Sequence, residues 1–310
     1  MLGHSHTNAN ESVHSHELHA HKAGDAHHSH AKEITSQKVL TIALFITIGF
    51  AVVEVLAGIY ANSLALISDA GHMVTDAAGL LLAVIAQLVS KRPPSAKYSF
   101  GLGRAEALAA FVNSLAMIVL IVWITVEAID RFNNPHQVGG QTVTLVAALG
   151  LLINILVAWM LSRNNKSMNT RAALVHVMGD LLGSVAALVA GVVIQYTGWM
   201  QIDPILSMVV CLLLIKSTIS ILKESYHFLM KGVPHHIDYI KVGDDLKNVP
   251  GVVAVHDLHV WEMTPGFPAL IGHIEVSNLP DWPQTMDLIR AMLLSQHGID
   301  HVTLQPEIAD

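Results

Sequence analysis

The chain has 310 residues, 52% of them hydrophobic and only 13% charged, with a formal net charge of -7. A soluble globular chain carries about 25% charged residues, so this composition points to a membrane protein, and the negative balance argues against a nucleic-acid partner. Histidine is the anomaly, with 20 residues against 17 Lys and Arg, and a single cysteine, Cys211, rules out an intrachain disulfide or a thiolate metal cluster.

Residues 1–37 hold His4, His6, His14, His16, His19, His21, His27, His28 and His30 among Ser, Ala, Gly and Asn. No apolar period runs through them, so they read as a disordered tail able to capture zinc weakly. No secretory signal is read, and the leader is expected to stay on the mature protein.

Six apolar stretches follow, at about residues 39–60, 64–90, 105–130, 142–162, 170–196 and 204–223. Each approaches the roughly 20 residues that a helix needs to cross a bilayer. Lys91, Arg92, Lys97 and Arg104 lie between the second and third, and Arg163, Lys166 and Arg171 near the fourth-to-fifth connection. Lys223 and Lys231 follow the sixth, while the connections on the other side are nearly free of basic residues. The positive-inside rule then predicts both termini in the cytoplasm.

Beyond Gly232-Val233-Pro234 the pattern changes to helix 237–248, strand 252–261, strand 269–276, helix 282–297 and strand 301–305. That order predicts a small α+β domain. The expected domains are therefore 1–37 (tail), 38–230 (membrane) and 231–310 (α+β).

Ionisable residues within the apolar stretches carry the functional signal. A buried Asp at a membrane-helix centre costs roughly 2.5–3.5 kcal/mol on the mildest scale. The second stretch contains His72 and Asp76, and the fifth contains His176 and Asp180. Spacing of i and i+4 puts each pair on one helix face. Two such faces meeting supply two imidazoles and two carboxylates, the donor set of tetrahedral zinc. Absence of thiolates argues against Cu(I) and the imidazoles against Mg or Ca, with cobalt and cadmium left open. Gly71, Gly79, Gly179 and Gly183 flank the pairs and are expected to allow close helix approach. Glu54 in the first stretch is expected to meet an interhelical partner, and Arg104 and Glu106 to form ion pairs.

A metal-dependent membrane enzyme is disfavoured, because no His-Glu-x-x-His motif occurs. A membrane zinc sensor that binds without transporting is the remaining alternative to a carrier.

The sequence resembles the cation diffusion facilitator family of zinc transporters. The resemblance rests on Asn62-Ser63-Leu64-Ala65-Leu66-Ile67-Ser68-Asp69-Ala70-Gly71-His72, on Phe100-Gly101-Leu102-Gly103-Arg104-Ala105-Glu106, on the His176 and Asp180 pair, and on His256-Asp257-Leu258-His259-Val260-Trp261. It implies six membrane helices, a ferredoxin-like cytoplasmic domain, a homodimer in a lipid bilayer, and zinc efflux in exchange for protons. It also implies that His72, Asp76, His176 and Asp180 bind the transported ion, and that His at position 72 marks the zinc branch rather than the manganese branch. His256, His273, His301 and Glu307 match positions that hold regulatory zinc in vesicular members. By strand alternation His256 and His259 fall on opposite faces, so one of them joins a given site, and the resemblance selects His256. Gln305 replaces a further His found in some bacterial members, which weighs against a binuclear site. Loop 91–103 lacks the accessory His/Asp site of some bacterial members, and loop 163–170 lacks the His-rich insertion of vesicular ones. The expected setting is a bacterial inner membrane.

Overall fold

The computed structural model describes residues 24–163 and 168–309. Six long helices come first: α1 (Gly24–Ala61), α2 (Leu64–Ser90), α3 (Ala105–Asn133), α4 (Gly140–Arg163), α5 (Met168–Thr197) and α6 (Ile202–Leu229). All six contain a stretch long and apolar enough to cross a membrane, from Ile42–Ala61 in α1 to Ile202–Leu229 in α6. Their outer faces are apolar as well as their packed ones. Leu81, Val119, Leu145 and Leu212 are 63%, 68%, 65% and 69% exposed. So continuous an apolar exterior is untenable in water and suits a multi-pass membrane protein.

Residues 1–23 and 164–167, with most of the His-rich tail and Lys166, lie outside the described residues. The part of the expected tail from Gly24 onward is helical. It carries helix formers such as Ala31, Lys32 and Glu33 and no proline. Extending an existing helix also avoids the nucleation cost that penalises an isolated one.

α4 packs along α5 and α3 along α6, while α2 touches α1, α3, α5 and α6. The end of the bundle joined to the C-terminal domain is called proximal here, the other end distal. At the distal end α1 turns into α2 through Asn62, whose φ of 54° is one that Asn tolerates better than most residues. Ser63 caps α2 by accepting from the Leu66 N–H at 3.3 Å. Asp203, in the first turn of α6, reinforces this cap. Its carboxylate accepts from Ser63 Oγ and the Leu64 N–H, both at 2.6 Å, and from the Ala65 N–H at 3.3 Å. Arg131 of α3 donates to the Asn62 carbonyl at 2.7 Å. Three helices are thereby tied to one turn.

The C-terminal domain runs α7 (Tyr239–Lys247), β1 (Val252–Thr264), β2 (Phe267–Val276), α8 (Trp282–His297) and β3 (His301–Ile308). The sheet order is β1-β2-β3, with β1 and β2 antiparallel and β2 and β3 parallel. A parallel pair needs a crossover, which α8 supplies. Asp238 caps α7, and Gly298 ends α8 in the left-handed region at φ 66°. Val242, Leu246, Leu258, Val260, Leu270, Ile289 and Leu293 form the core between helices and sheet. This is the expected α-β-β-α-β domain, with longer strands than the sequence pattern indicated.

Candidate metal centre

α2 and α5 bring their His-x-x-x-Asp faces together. His72 Nε2 lies 3.7 Å from Asp76 Oδ2 and 3.6 Å from Asp180 Oδ1. His176 Nε2 lies 3.3 Å from Asp76 Oδ2 and 3.8 Å from Asp180 Oδ2. Each imidazole thus faces both carboxylates, and the two rings are 5.8 Å apart. A tetrahedral zinc with arms of about 2.0–2.1 Å has ligand-to-ligand edges of roughly 3.3–3.4 Å. The four donors are already close to that spacing. Both Asp180 oxygens are buried without a hydrogen-bond partner, as is His72 Nδ1. A cation in the cage would satisfy the carboxylate.

A cavity of about 740 Å³ leads to this cage, lined by Asp76, His176 and Asp180 and then by Ala83, Glu106 and Leu161. Those last residues lie toward the proximal ends of α2, α3 and α4, so the cage opens proximally. On the distal side the helices close. The glycines contribute unequally to this packing. A Cβ on Gly183 would collide with Asp69 Oδ1, one on Gly79 would sit 2.5 Å from Asn113 and one on Gly71 3.1 Å from Leu120, whereas Gly179 has nothing within 4 Å.

Sequence reasoning passed over Asp69, which the structure buries at 2% exposure one turn distal to His72. The signal was present, since position 69 is i−3 from His72 and shares its face. Glu54 is fully buried, and instead of the expected interhelical partner its carboxylate has no hydrogen bond. Glu106 accepts from Ser90 Oγ at 2.7 Å.

The second group lies on the sheet face away from the helices. His256 and His273 are cross-strand partners, and Glu307 on β3 reaches both, at 3.1 Å from His256 Nε2 and 2.7 Å from His273 Nδ1. Gln305 is the β3 partner of His273. His301 does not join them: it pairs with Ala269, four rungs from Gln305, about 13 Å along the strand. Two imidazoles and a carboxylate fit three of the four positions of a tetrahedral zinc, and Asp257 brings a further carboxylate oxygen within 4.8 Å of ligand atoms of both histidines.

The alternation expected for His256 and His259 is broken by a bulge. His256 pairs with His273 and His259 with Ile271, so three steps on β1 match two on β2. Asp257, at φ 47°, absorbs the extra residue. Both histidines therefore sit on the same face, and reach toward Glu307, not facing, separates them.

A two-part chain of this kind, a multi-pass helical bundle with a His/Asp cluster between two of its helices and an appended α+β domain, defines a class of membrane cation carrier. Residues 40–230 match the family described as cation efflux transmembrane domain, and residues 234–309 that of the cation efflux protein cytoplasmic domain. The zinc transporter ZitB of Escherichia coli is 42% identical over 90% of both chains. The cadmium, cobalt and zinc/H(+)-K(+) antiporter of Bacillus subtilis is 37% identical over 90% of this chain and 91% of that one. The metal cation efflux system protein CzcD of Cupriavidus metallidurans is 37% identical over 92% and 90%. The solved metal-bound C-terminal domain of the CzcD transporter is 30% identical, covers 23% of this chain and all of its own, and has a TM-score of 0.23. The chain belongs to the cation diffusion facilitator family, whose members are cation transporters and not enzymes.

Proposed function

We propose that the protein exports zinc from the cytoplasm in exchange for protons, by alternating access to the His72, Asp76, His176 and Asp180 cage. The observation that carries this reading is the spacing of the four donors, 3.3–3.8 Å from imidazole to carboxylate across two helices. Cadmium and cobalt take similar donors, and the Bacillus subtilis relative is named for them. The basic connections argue for a cytoplasmic proximal end and, with the bacterial relatives, for the inner membrane.

Zinc is the cargo here. It enters the proximal cavity and meets Asp76 and His176 before the more deeply set Asp180. Binding needs ionised carboxylates and neutral imidazoles, so loading displaces protons toward the cytoplasm. Proximal closure and distal opening would then expose the cage outward, where protons compete for the same donors and release the metal. In the C-terminal domain, His256, His273 and Glu307 would hold a regulatory zinc, with His301 outside that set. The exposed face of the small sheet supports a homodimer joined through this domain.

Full-length protein in proteoliposomes tests the cage. Asp180→Ala and Asp76→Ala are each expected to lower zinc transport by more than the 10–100-fold that loss of an outer-shell partner typically costs. Wild-type rates in either variant would remove the cage from the mechanism.

A further inference from the structure

Just distal to the cage lie two carboxylates that metal binding does not use. Glu54 of α1 has 0% exposure, and neither of its oxygens has a hydrogen-bond partner. Asp69 of α2 is 2% exposed, and its Oδ2 accepts from Ser184 Oγ of α5 at 3.4 Å. Ser184 Oγ in turn accepts from Asn154 Nδ2 of α4 at 3.0 Å. Glycines make the room: a Cβ on Gly150 would stand 3.1 Å from Glu54 Oε1, and one on Gly183 would collide with Asp69 Oδ1. α1 packs against α2, α4 and α5. Of these, α2 presents Asp69 to Glu54, α5 presents Asp180, and α4 presents no charged group, its one charged residue being Arg163 at the proximal end. Among the described residues no Lys, Arg or His forms an ion pair with Glu54 or Asp69.

An ionised Glu54 would therefore face two acids, with no donor and no water-exposed surface. Buried carboxylates in that position take up a proton instead. The cluster offers no imidazole, so it lacks the mixed donor set of the zinc cage. Asp69 and Ser184 lie about one helical turn distal to His72 and Asp180, on the path that an outward-opening cage would use.

We propose that Glu54, with Asp69 as its acid neighbour, is a proton-carrying station separate from the metal ligands. This rests on the zinc/proton exchange reading. In the proximally open, metal-free conformation Glu54 holds a proton. Zinc entering the cage places two positive charges beside Asp180, and Glu54 releases its proton toward the cage, whose Asp76, His176 and Asp180 line the proximal cavity. Once the cage has opened distally and zinc has left, Glu54 takes a proton from the outer water. One proton enters for each zinc that leaves by this route, in addition to those exchanged at the cage.

The test is the zinc accumulation ratio at static head in proteoliposomes, measured against the imposed pH gradient. Each coupled proton multiplies that ratio about tenfold per pH unit. Glu54→Gln is expected to lower the slope by about one proton per ion, with zinc stoichiometry at equilibrium and zinc–zinc exchange at symmetric pH unchanged. Glu54→Asp, which keeps an ionisable group, is expected to restore the slope. An unchanged slope in Glu54→Gln overturns the proposal. So does parallel loss of binding and exchange, which marks a structural residue, or loss of one bound zinc, which marks a metal site. Should Glu54→Gln fail to assemble, infrared difference spectra of the wild type and Glu54→Asp decide: zinc loading must remove a protonated carboxylic-acid stretch whose frequency Glu54→Asp shifts, and absence of such a Glu54-dependent band overturns the station. A wild-type slope of zero defeats the antiport reading itself and is distinguishable from all of these.

Discussion

Gly179 and Gly183 sit one turn apart on α5 and flank Asp180, yet their surroundings differ completely. Nothing lies within 4 Å of a Cβ on Gly179, whereas a Cβ on Gly183 runs into the Asp69 carboxylate. Asp69 belongs to the same helix face as His72, so displacing it displaces a cage ligand. Gly183→Ala is expected to depress zinc transport severely, and Gly179→Ala to leave it near wild type, both measured as initial zinc uptake per folded protein. Equal effects of the two would mean that the α2–α5 approach is not set at Gly183. The sequence marks both positions alike as small residues, and only the packing separates them.

At the scale of elements, the distal cap of α2 is the feature with most at stake. The first N–H groups of a helix have no intrahelical acceptor, and here a carboxylate from another helix serves two of them together with Ser63 Oγ. Removing a cap costs about 0.5–2 kcal/mol, and a charged acceptor lies at the upper end. Asp203→Ala is thus expected to lower the thermal midpoint in detergent more than Ser63→Ala does. A midpoint unchanged by Asp203→Ala would show that the α2–α6 tie contributes nothing. Most of this architecture was legible beforehand. Each of the six apolar stretches gives a helix, α2 to α5 close to their expected bounds, whereas α1 begins at Gly24 rather than near 39 and α6 runs on to Leu229 rather than 223, and helix 282–297 in the small domain coincides with α8. The i,i+4 spacing, repeated in two apolar stretches, marks the four residues, and the packing of α2 on α5 brings them together. Asp203 was read as part of a connection because helix ends are the least sharply encoded feature. The bulge at Asp257 was missed because one residue with positive φ leaves no trace in a hydrophobic period, yet it moves His259 to the other face. His301 came in through the resemblance, but the β2–β3 register sets it four rungs from Gln305, and register depends on pairing between distant segments.

For the whole molecule, the two ends of the bundle are in opposite states. The proximal end holds the cavity of about 740 Å³ that reaches the cage, whereas distal to the cage Glu54, Asp69 and Ser184 are buried and the Asp203 cap and the Arg131–Asn62 bond tie the helices together. The C-terminal domain contacts the membrane part near the α2–α3 connection, where Phe100, Arg104, Lys231, Trp261 and Met263 line a smaller cavity of about 340 Å³. Gly103 packs against Thr264 at the end of β1, so closely that a Cβ there would overlap it. Filling the proposed His256, His273 and Glu307 site on the same sheet would bear on this contact, by biasing one of two packed arrangements. The proposed alternating access makes a direct demand on this geometry. Cys211, the single native cysteine, is buried at 4% exposure among Leu64, Met117 and Ile121, and should resist a hydrophilic maleimide. Ala83→Cys then reports the cavity wall, and Ala65→Cys the sealed distal turn. Without zinc, reagent from the proximal side is expected to label position 83 rapidly and reagent from the distal side to leave position 65 untouched. With zinc loaded and the distal side acidified, labelling at 83 should slow and labelling at 65 should rise. Metal that slows neither site and exposes neither would describe a binding protein with a fixed opening. A carrier requires the two accessibilities to move in opposite directions, because one cage cannot be open to both sides without dissipating the gradient that drives it.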